Sequence, residues 1–423
     1  MNWVLTVAVL MAFVALAVTG LRALSDRRAS MAVLCLFALF YLHIRPLMLL
    51  TGTNTLYAPL HAIQRKFEPG DLLPVMSFIW LCLLLTFLGY SMIMRRPMSA
   101  QGVSPTSSSV YAVLLQVCLV CTAFLFLFSS VFQAFGLMFG AALVGFVSCL
   151  LVAPRSRWRW LAAIVGLFGI ALLLQFTIER RDYAVALLSL LFVMALSQQR
   201  RLTTVLLAGT VLVSVGLIMA VWLRTPDAIA IGDVLARLTG STFVAVIEIE
   251  LDFAIVFDDI VILMQEVPQN TAYLGGETFL KPFLSFVPRA LWEEKPETIS
   301  RLFSLVFNRP FYDAGGSQPI TLIGELYWNL GWAGSLAMLP FGMLLGGLDR
   351  SARGLVWRPR ATWLPLERFA VAKYIVLSAM VFYLLRGPTD TVWMSFLWIW
   401  LLWRGALVMG HAVLQIRPSE AGA

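Results

Sequence analysis

Few side chains in this sequence could do chemistry, and most of those that could are arginines at the edges of long apolar runs. Arg45 precedes Pro46, Arg180 and Arg181 fall in Glu179-Arg180-Arg181-Asp182, and Arg386 opens Arg386-Gly387-Pro388-Thr389-Asp390. Arg289 and Lys295 belong to Pro288-Arg289-Ala290-Leu291-Trp292-Glu293-Glu294-Lys295-Pro296. A planar guanidinium grips phosphate oxygens with paired hydrogen bonds, so several at one depth would suit a diphosphate group. Pairing with neighbouring acids, as in Glu179–Arg181 or Arg386–Asp390, or with lipid phosphates, would account for the same residues.

Carboxylates are the complementary half. Glu325, in Gly324-Glu325-Leu326-Tyr327-Trp328-Asn329-Leu330-Gly331, stands at the mouth of an apolar run, where an acid is costly unless paired. There it could accept a proton from a sugar hydroxyl, or hold a structural salt bridge to one of the arginines. Asp313, before Gly315-Gly316, is a second candidate base and Glu277 a third. Tyr273, Phe286, Trp292, Phe311, Tyr312, Tyr327 and Trp328 could stack on sugar faces, although aromatic belts at membrane interfaces give the same pattern.

The elements that must position these residues are apolar. The chain has 423 residues, 60% hydrophobic and 13% charged, with a mean hydropathy of +0.85. A soluble protein of that length would need far more polar surface. Runs near 3–21, 31–50, 72–94, 110–131, 136–153, 160–178, 183–197, 203–223, 327–348, 368–386 and 389–407 predict about eleven spans. No positive charge precedes the first run, whereas Arg22, Arg27 and Arg28 follow it. It therefore reads as a first span with its N-terminus outside, not as a cleaved signal. Every alternate connection is then basic: Arg95 and Arg96; Arg155, Arg157 and Arg159; Arg200 and Arg201; Arg350, Arg353, Arg358 and Arg360; and the tail with Arg404 and Arg417. The short outer connections hold only Arg65, Lys66, Arg180, Arg181 and Arg386. This alternation is what the positive-inside rule produces, and it accounts for the net charge of +8 without nucleic acid.

The expected organisation is an N-terminal bundle of about eight spans (1–223), a large outward loop (224–326) and a C-terminal bundle of about three spans (327–423), with the C-terminus inside. Within the loop, Glu248, Asp252, Asp259 and Glu266 share one helical stripe beside Ile249, Phe253, Val256, Ile260 and Leu263. This predicts an amphipathic helix over about 241–267 lying along the membrane surface, its acids solvated.

Several chemistries are unsupported. The largest inner loop is too short for a nucleotide-binding domain, and no phosphate-binding glycine motif occurs. All five cysteines fall in apolar runs, and the three histidines are scattered, so neither a disulfide framework nor a metal site is expected. Any reaction must draw its energy from the substrate or a gradient.

Pro288-Arg289-x-x-Trp292-x-x-Lys295-Pro296, then Gly316-Ser317-x-Pro319 and Gly324-Glu325-x-Tyr327-x-Asn329-x-Gly331, with Arg45-Pro46-Leu47 late in the second run, resembles the O-antigen polymerases, the Wzy-type oligosaccharide repeat-unit polymerases. The chain departs from that pattern where Glu179-Arg180-Arg181-Asp182 replaces a small-residue turn, leaving open which of Arg180 and Arg181 is equivalent. The resemblance implies an all-α polytopic glycosyltransferase of type C, working on the periplasmic side of the bacterial inner membrane without metal, nucleotide sugar or other cofactor. Donor and acceptor would both be undecaprenyl-diphosphate-linked oligosaccharides, and a flippase and a chain-length regulator would belong to the same pathway. Glu325, Asp313 and Arg289 would be catalytic. Arg45, Arg180, Arg181, Arg289, Lys295, Arg386, Trp292 and Tyr327 would bind diphosphate or glycan. The alternatives are a transporter of lipid-linked oligosaccharide, against which the lack of an internal repeat counts, and an O-antigen ligase, against which the lack of a histidine in the long loop counts.

Overall fold

The computed structural model describes residues 2–51, 67–95, 108–128, 135–151, 180–197, 255–281, 292 and 297–387, with parts of 393–408. The expected spans 160–178 and 203–223, and most of 282–296, lie outside the described residues. Among the described residues the architecture is all-helical: α1 (Asn2–Ser25), α2 (Ala29–Phe37), a π-helical segment (Ala38–His43), α3 (Ile44–Leu50), α4 (Pro69–Met94), α5 (Ser108–Phe128), α6 (Phe135–Leu150) and α7 (Arg180–Ser197). Then follow α8 (Ile255–Glu266), α9 (Ile299–Phe307), α10 (Arg309–Asp313), α11 (Leu322–Leu330), α12 (Met338–Val356) and α13 (Pro365–Arg386).

Among the described residues, five helical stretches are long and apolar enough to cross a membrane: Trp3–Ser25, Ala29–Leu50, Gly70–Met94, Leu322–Val356 and Pro365–Arg386. Val110–Thr122, Gly140–Leu150 and Val185–Leu196 are shorter apolar helices. The expected span 327–348 is interrupted. Gly331 takes φ +59° at the end of α11, and a 3-10 turn (Gly331–Ala337) leads into α12. A left-handed φ is easy only for glycine, so the break is set locally.

Helix directions follow from the contacts. Ala29 meets Tyr374, Phe37 meets Phe382 and Tyr41 meets Arg386, so α2 and α13 run parallel. Thr86 meets Gly342, Tyr90 meets Gly346 and Ile93 meets Arg350, so α4 and α12 are also parallel. Ser30 and Tyr90 share Asp349 while His43 meets Trp80, which sets the two pairs antiparallel. Arg27, Arg28, Arg95, Arg350, Arg353 and Arg358 consequently gather at one end of the bundle. Arg45 and Arg386 lie toward the other.

Helices α4 and α12 approach almost backbone to backbone. A Cβ on Gly342 would lie 2.0 Å from the Thr86 carbonyl oxygen, and one on Gly89 would lie 2.1 Å from the Leu339 carbonyl oxygen. Gly342-x-x-x-Gly346 is the small-residue spacing through which apolar helices gain dispersion contact where lipid removes any hydrophobic drive.

Helix α8 corrects the expectation of a surface helix. Every side chain from Val256 to Leu263 is buried, and α8 packs against the π-helical segment, α3, α4 and α11. Asp259, placed by the sequence pattern on a solvated stripe, is 1% exposed and accepts a 2.6 Å hydrogen bond from Gln318 Nε2. Asp258 is paired with Arg45 and Asp259 accepts from Gln318, so both acids find their partners inside the protein.

Candidate functional site

The second apolar stretch changes its winding just before Arg45. Pro46 has no N–H and its ring crowds the carbonyl four residues back, which disfavours an ordinary α-turn there. The chain adopts the π segment Ala38–His43, and the His43 ring satisfies the Ala38 carbonyl from Nδ1 at 2.8 Å. Trp80 Nε1 donates to His43 Nε2 at 3.3 Å, so the imidazole is buried with both nitrogens used. Such π-turns occur often at functional sites. This one carries Tyr41, one turn before Arg45.

Arg45 is paired with Asp258 of α8. Nε lies 3.0 Å from Oδ1 and 3.1 Å from Oδ2, and Nη2 lies 2.8 Å from Oδ2. Both side chains are largely buried, at 12% and 13% exposure. Burial raises the Asp258 carboxyl above its ordinary range, while the hydrogen bonds and positive charge of Arg45 pull it back. Truncating one partner of such a pair leaves the other charge buried and costs about 3–5 kcal/mol. Arg45 Nη1 is enclosed and has no hydrogen-bond partner among the described residues.

Arg386, at the end of α13, lies with its guanidinium carbon 5.7 Å from the centroid of the Tyr41 ring. Tyr41 is fixed in turn by stacking on Phe37 at 4.7 Å and by an edge contact with Phe382 at 5.6 Å. Arg386 Nε is likewise enclosed without a hydrogen-bond partner among the described residues. Two of the arginines singled out from the sequence are thus brought to one end of the bundle, linked through Tyr41 and the turn that follows it. Each holds a donor without a hydrogen-bond partner among the described residues.

Glu325 is fully buried in the first turn of α11, which the Thr321 side chain caps. Its Oε1 accepts from Thr278 Oγ1 at 2.7 Å. Asn329 Nδ2 donates to Thr278 Oγ1 at 2.8 Å, and Asn329 Oδ1 accepts from the Gly276 N–H at 3.0 Å. Glu325 and Asn329 therefore clip the segment around Gly276–Thr278 onto α11. Tyr327 is a core residue: its hydroxyl donates to the Val267 carbonyl at 3.1 Å and its ring abuts Phe78.

The remaining sequence candidates are placed apart. Asp313 is exposed and pairs with Arg309 within α10 at 2.9 Å, and Glu277 is exposed. Trp292 is half-buried. Arg180 and Arg181 open α7, but their side chains, like Arg289 and Lys295, lie outside the described residues. Sequence reasoning missed Asp258 and Tyr41. An acid pair inside an otherwise apolar helix is the signal that could have exposed Asp258, because a buried carboxylate requires a cationic partner. Tyr312, one of the aromatics singled out from the sequence, has its ring approached by Arg301 at 4.8 Å and Arg309 at 5.6 Å.

Comparison with protein-family models, curated proteins and solved structures finds no match. Among the described residues no cluster of histidine, cysteine or acidic side chains could hold a metal ion.

Proposed function

We propose that this chain is a multi-pass glycosyltransferase of the bacterial inner membrane that polymerises undecaprenyl-diphosphate-linked repeat units on the periplasmic side. The observation that carries the reading is that Arg386, which lies against the Tyr41 ring, and Arg45, four residues beyond Tyr41, both lie toward the end of the bundle opposite the basic connections. Basic connections mark the cytoplasmic side. By that rule the two guanidinium donors without a partner among the described residues belong to the outer leaflet, where a lipid diphosphate headgroup would sit.

In the proposed reaction the hydroxyl oxygen of the acceptor repeat unit attacks the anomeric carbon of the donor glycan. The bond from that carbon to the diphosphate oxygen breaks, and undecaprenyl diphosphate leaves with the electron pair. Arg45 and Arg386 stabilise the charge growing on the departing oxygens. Glu325, buried and ionisable, is the candidate acceptor for the hydroxyl proton. The glycosyl phosphate supplies the driving force, consistent with the absence of a nucleotide fingerprint from the sequence.

The test is deletion of the gene followed by gel analysis of surface glycan. Loss of the ladder with retention of single-repeat caps supports a polymerase. Complete loss of surface glycan indicates a transporter or ligase, and an unchanged ladder rejects the class.

A further inference from the structure

The contact between Arg45 and Asp258 is directional. Asp258 takes hydrogen bonds from Nε and Nη2, the edge of the guanidinium nearest its own chain, and takes none from Nη1. A guanidinium is rigid and planar, so fixing one edge fixes where the remaining N–H groups point. Only a carboxylate offers two acceptors for that edge; an amide would turn an NH2 group toward a donor. Arg45 and Asp258 lie on different elements, α3 and α8, and α8 is itself locked by the Asp259–Gln318 contact and by burial on every side.

We propose that Asp258 is a positioning residue for anion recognition. It holds Arg45 by the Nε–Nη2 edge so that Nη1 is the donor offered to an oxygen of a prenyl diphosphate, at the end of the bundle that also holds Arg386. This deepens the reading of the site given above and rests on it. The carboxylate does not touch the ligand; it acts through Arg45. It also offsets the charge of Arg45, so the anion is held by aimed hydrogen bonds more than by net charge.

The experiment measures the apparent affinity of the full chain in detergent for farnesyl diphosphate, read as ligand-induced thermal stabilisation. Asp258→Asn is expected to weaken binding by about tenfold or more, over and above the lower ligand-free melting temperature that follows from leaving Arg45 without its counter-charge. In an Arg45→Ala background the same substitution is expected to cause no further loss, and Asp258→Glu should recover part of the affinity lost in Asp258→Asn. Unchanged affinity in Asp258→Asn, or a loss that persists without Arg45, overturns the proposal. If Asp258→Asn does not fold, Asp258→Glu decides: weaker binding supports positioning, and parental affinity overturns it. A parent protein that farnesyl diphosphate does not stabilise overturns the diphosphate reading and this inference together. Parental binding with an insensitive Asp258→Asn overturns the inference alone.

Discussion

The hydroxyl of Tyr374 lies 2.7 Å from Asp349 Oδ1, joining α13 to α12 at the end of the bundle where the basic residues collect. Asp349 also accepts from the Tyr90 hydroxyl at 2.8 Å and from the backbone N–H groups of Ser30 and Met31. The Tyr374 oxygen accepts from the Ala29 N–H, and the Arg27 carbonyl is 3.1 Å away. One proton cannot serve both acceptors, and the charged one holds it more strongly. Four elements thus converge on one carboxylate. Tyr374→Phe is expected to cost about 1–3 kcal/mol, and Asp349→Ala more, because it leaves two N–H groups and two hydroxyls without their acceptor. Thermal unfolding in detergent checks the order.

The close approach of α4 and α12 gives a second prediction. Gly342→Leu should lower the melting temperature or abolish expression, since its Cβ would collide with the Thr86 carbonyl. Gly347→Ala provides the control: a Cβ there meets nothing within 4 Å, and the change should be neutral or stabilising by up to about 1 kcal/mol. Equal effects at the two positions would refute the packing argument.

Arg386→Lys should retain the cation near Tyr41 but lose the planar fork. On the proposed function, polymerisation by the purified protein is expected to fall by roughly a hundredfold, the scale of losing one preorganised donor to a developing oxyanion. Full activity in that variant would remove Arg386 from the site.

Glu325→Gln separates two roles. The amide oxygen can still accept from Thr278, so the clip onto α11 and the melting temperature should persist. Activity should be lost if the carboxylate takes the proton. An active Glu325→Gln enzyme would leave Glu325 as a structural residue, while a large drop in melting temperature would show that its charge is needed for the fold.

Much of the helical framework was legible because apolar runs of span length are a local property: 3–21, 31–50, 72–94 and 368–386 all fall within candidate spans. Glu325 could be recognised as an embedded acid, but its contact with Thr278 could not, because the two are 47 positions apart and no local periodicity records the pairing. The failure at α8 has a physical cause. Reading Asp259 as solvated assumed that charge seeks water, whereas its helix is buried against elements far away in sequence. Arg45 and Asp258 are separated by 213 positions, and no local periodicity records such a pairing. Arg45 itself stood out because an arginine followed by proline near the end of an apolar run is unusual.

A helix advances about 100° per residue, and one π-turn takes up one residue more than an α-turn. The segment Ala38–His43 therefore acts as a phase shift within an otherwise continuous rod. It lets Tyr41 answer to one neighbour, Arg386, and Arg45 to another, Asp258. An uninterrupted α-helix of the same sequence would turn everything beyond His43 by about a quarter of a revolution, pointing Arg45 away from α8. The angular bearing of the guanidinium is thus encoded upstream, in a winding defect that a proline imposes.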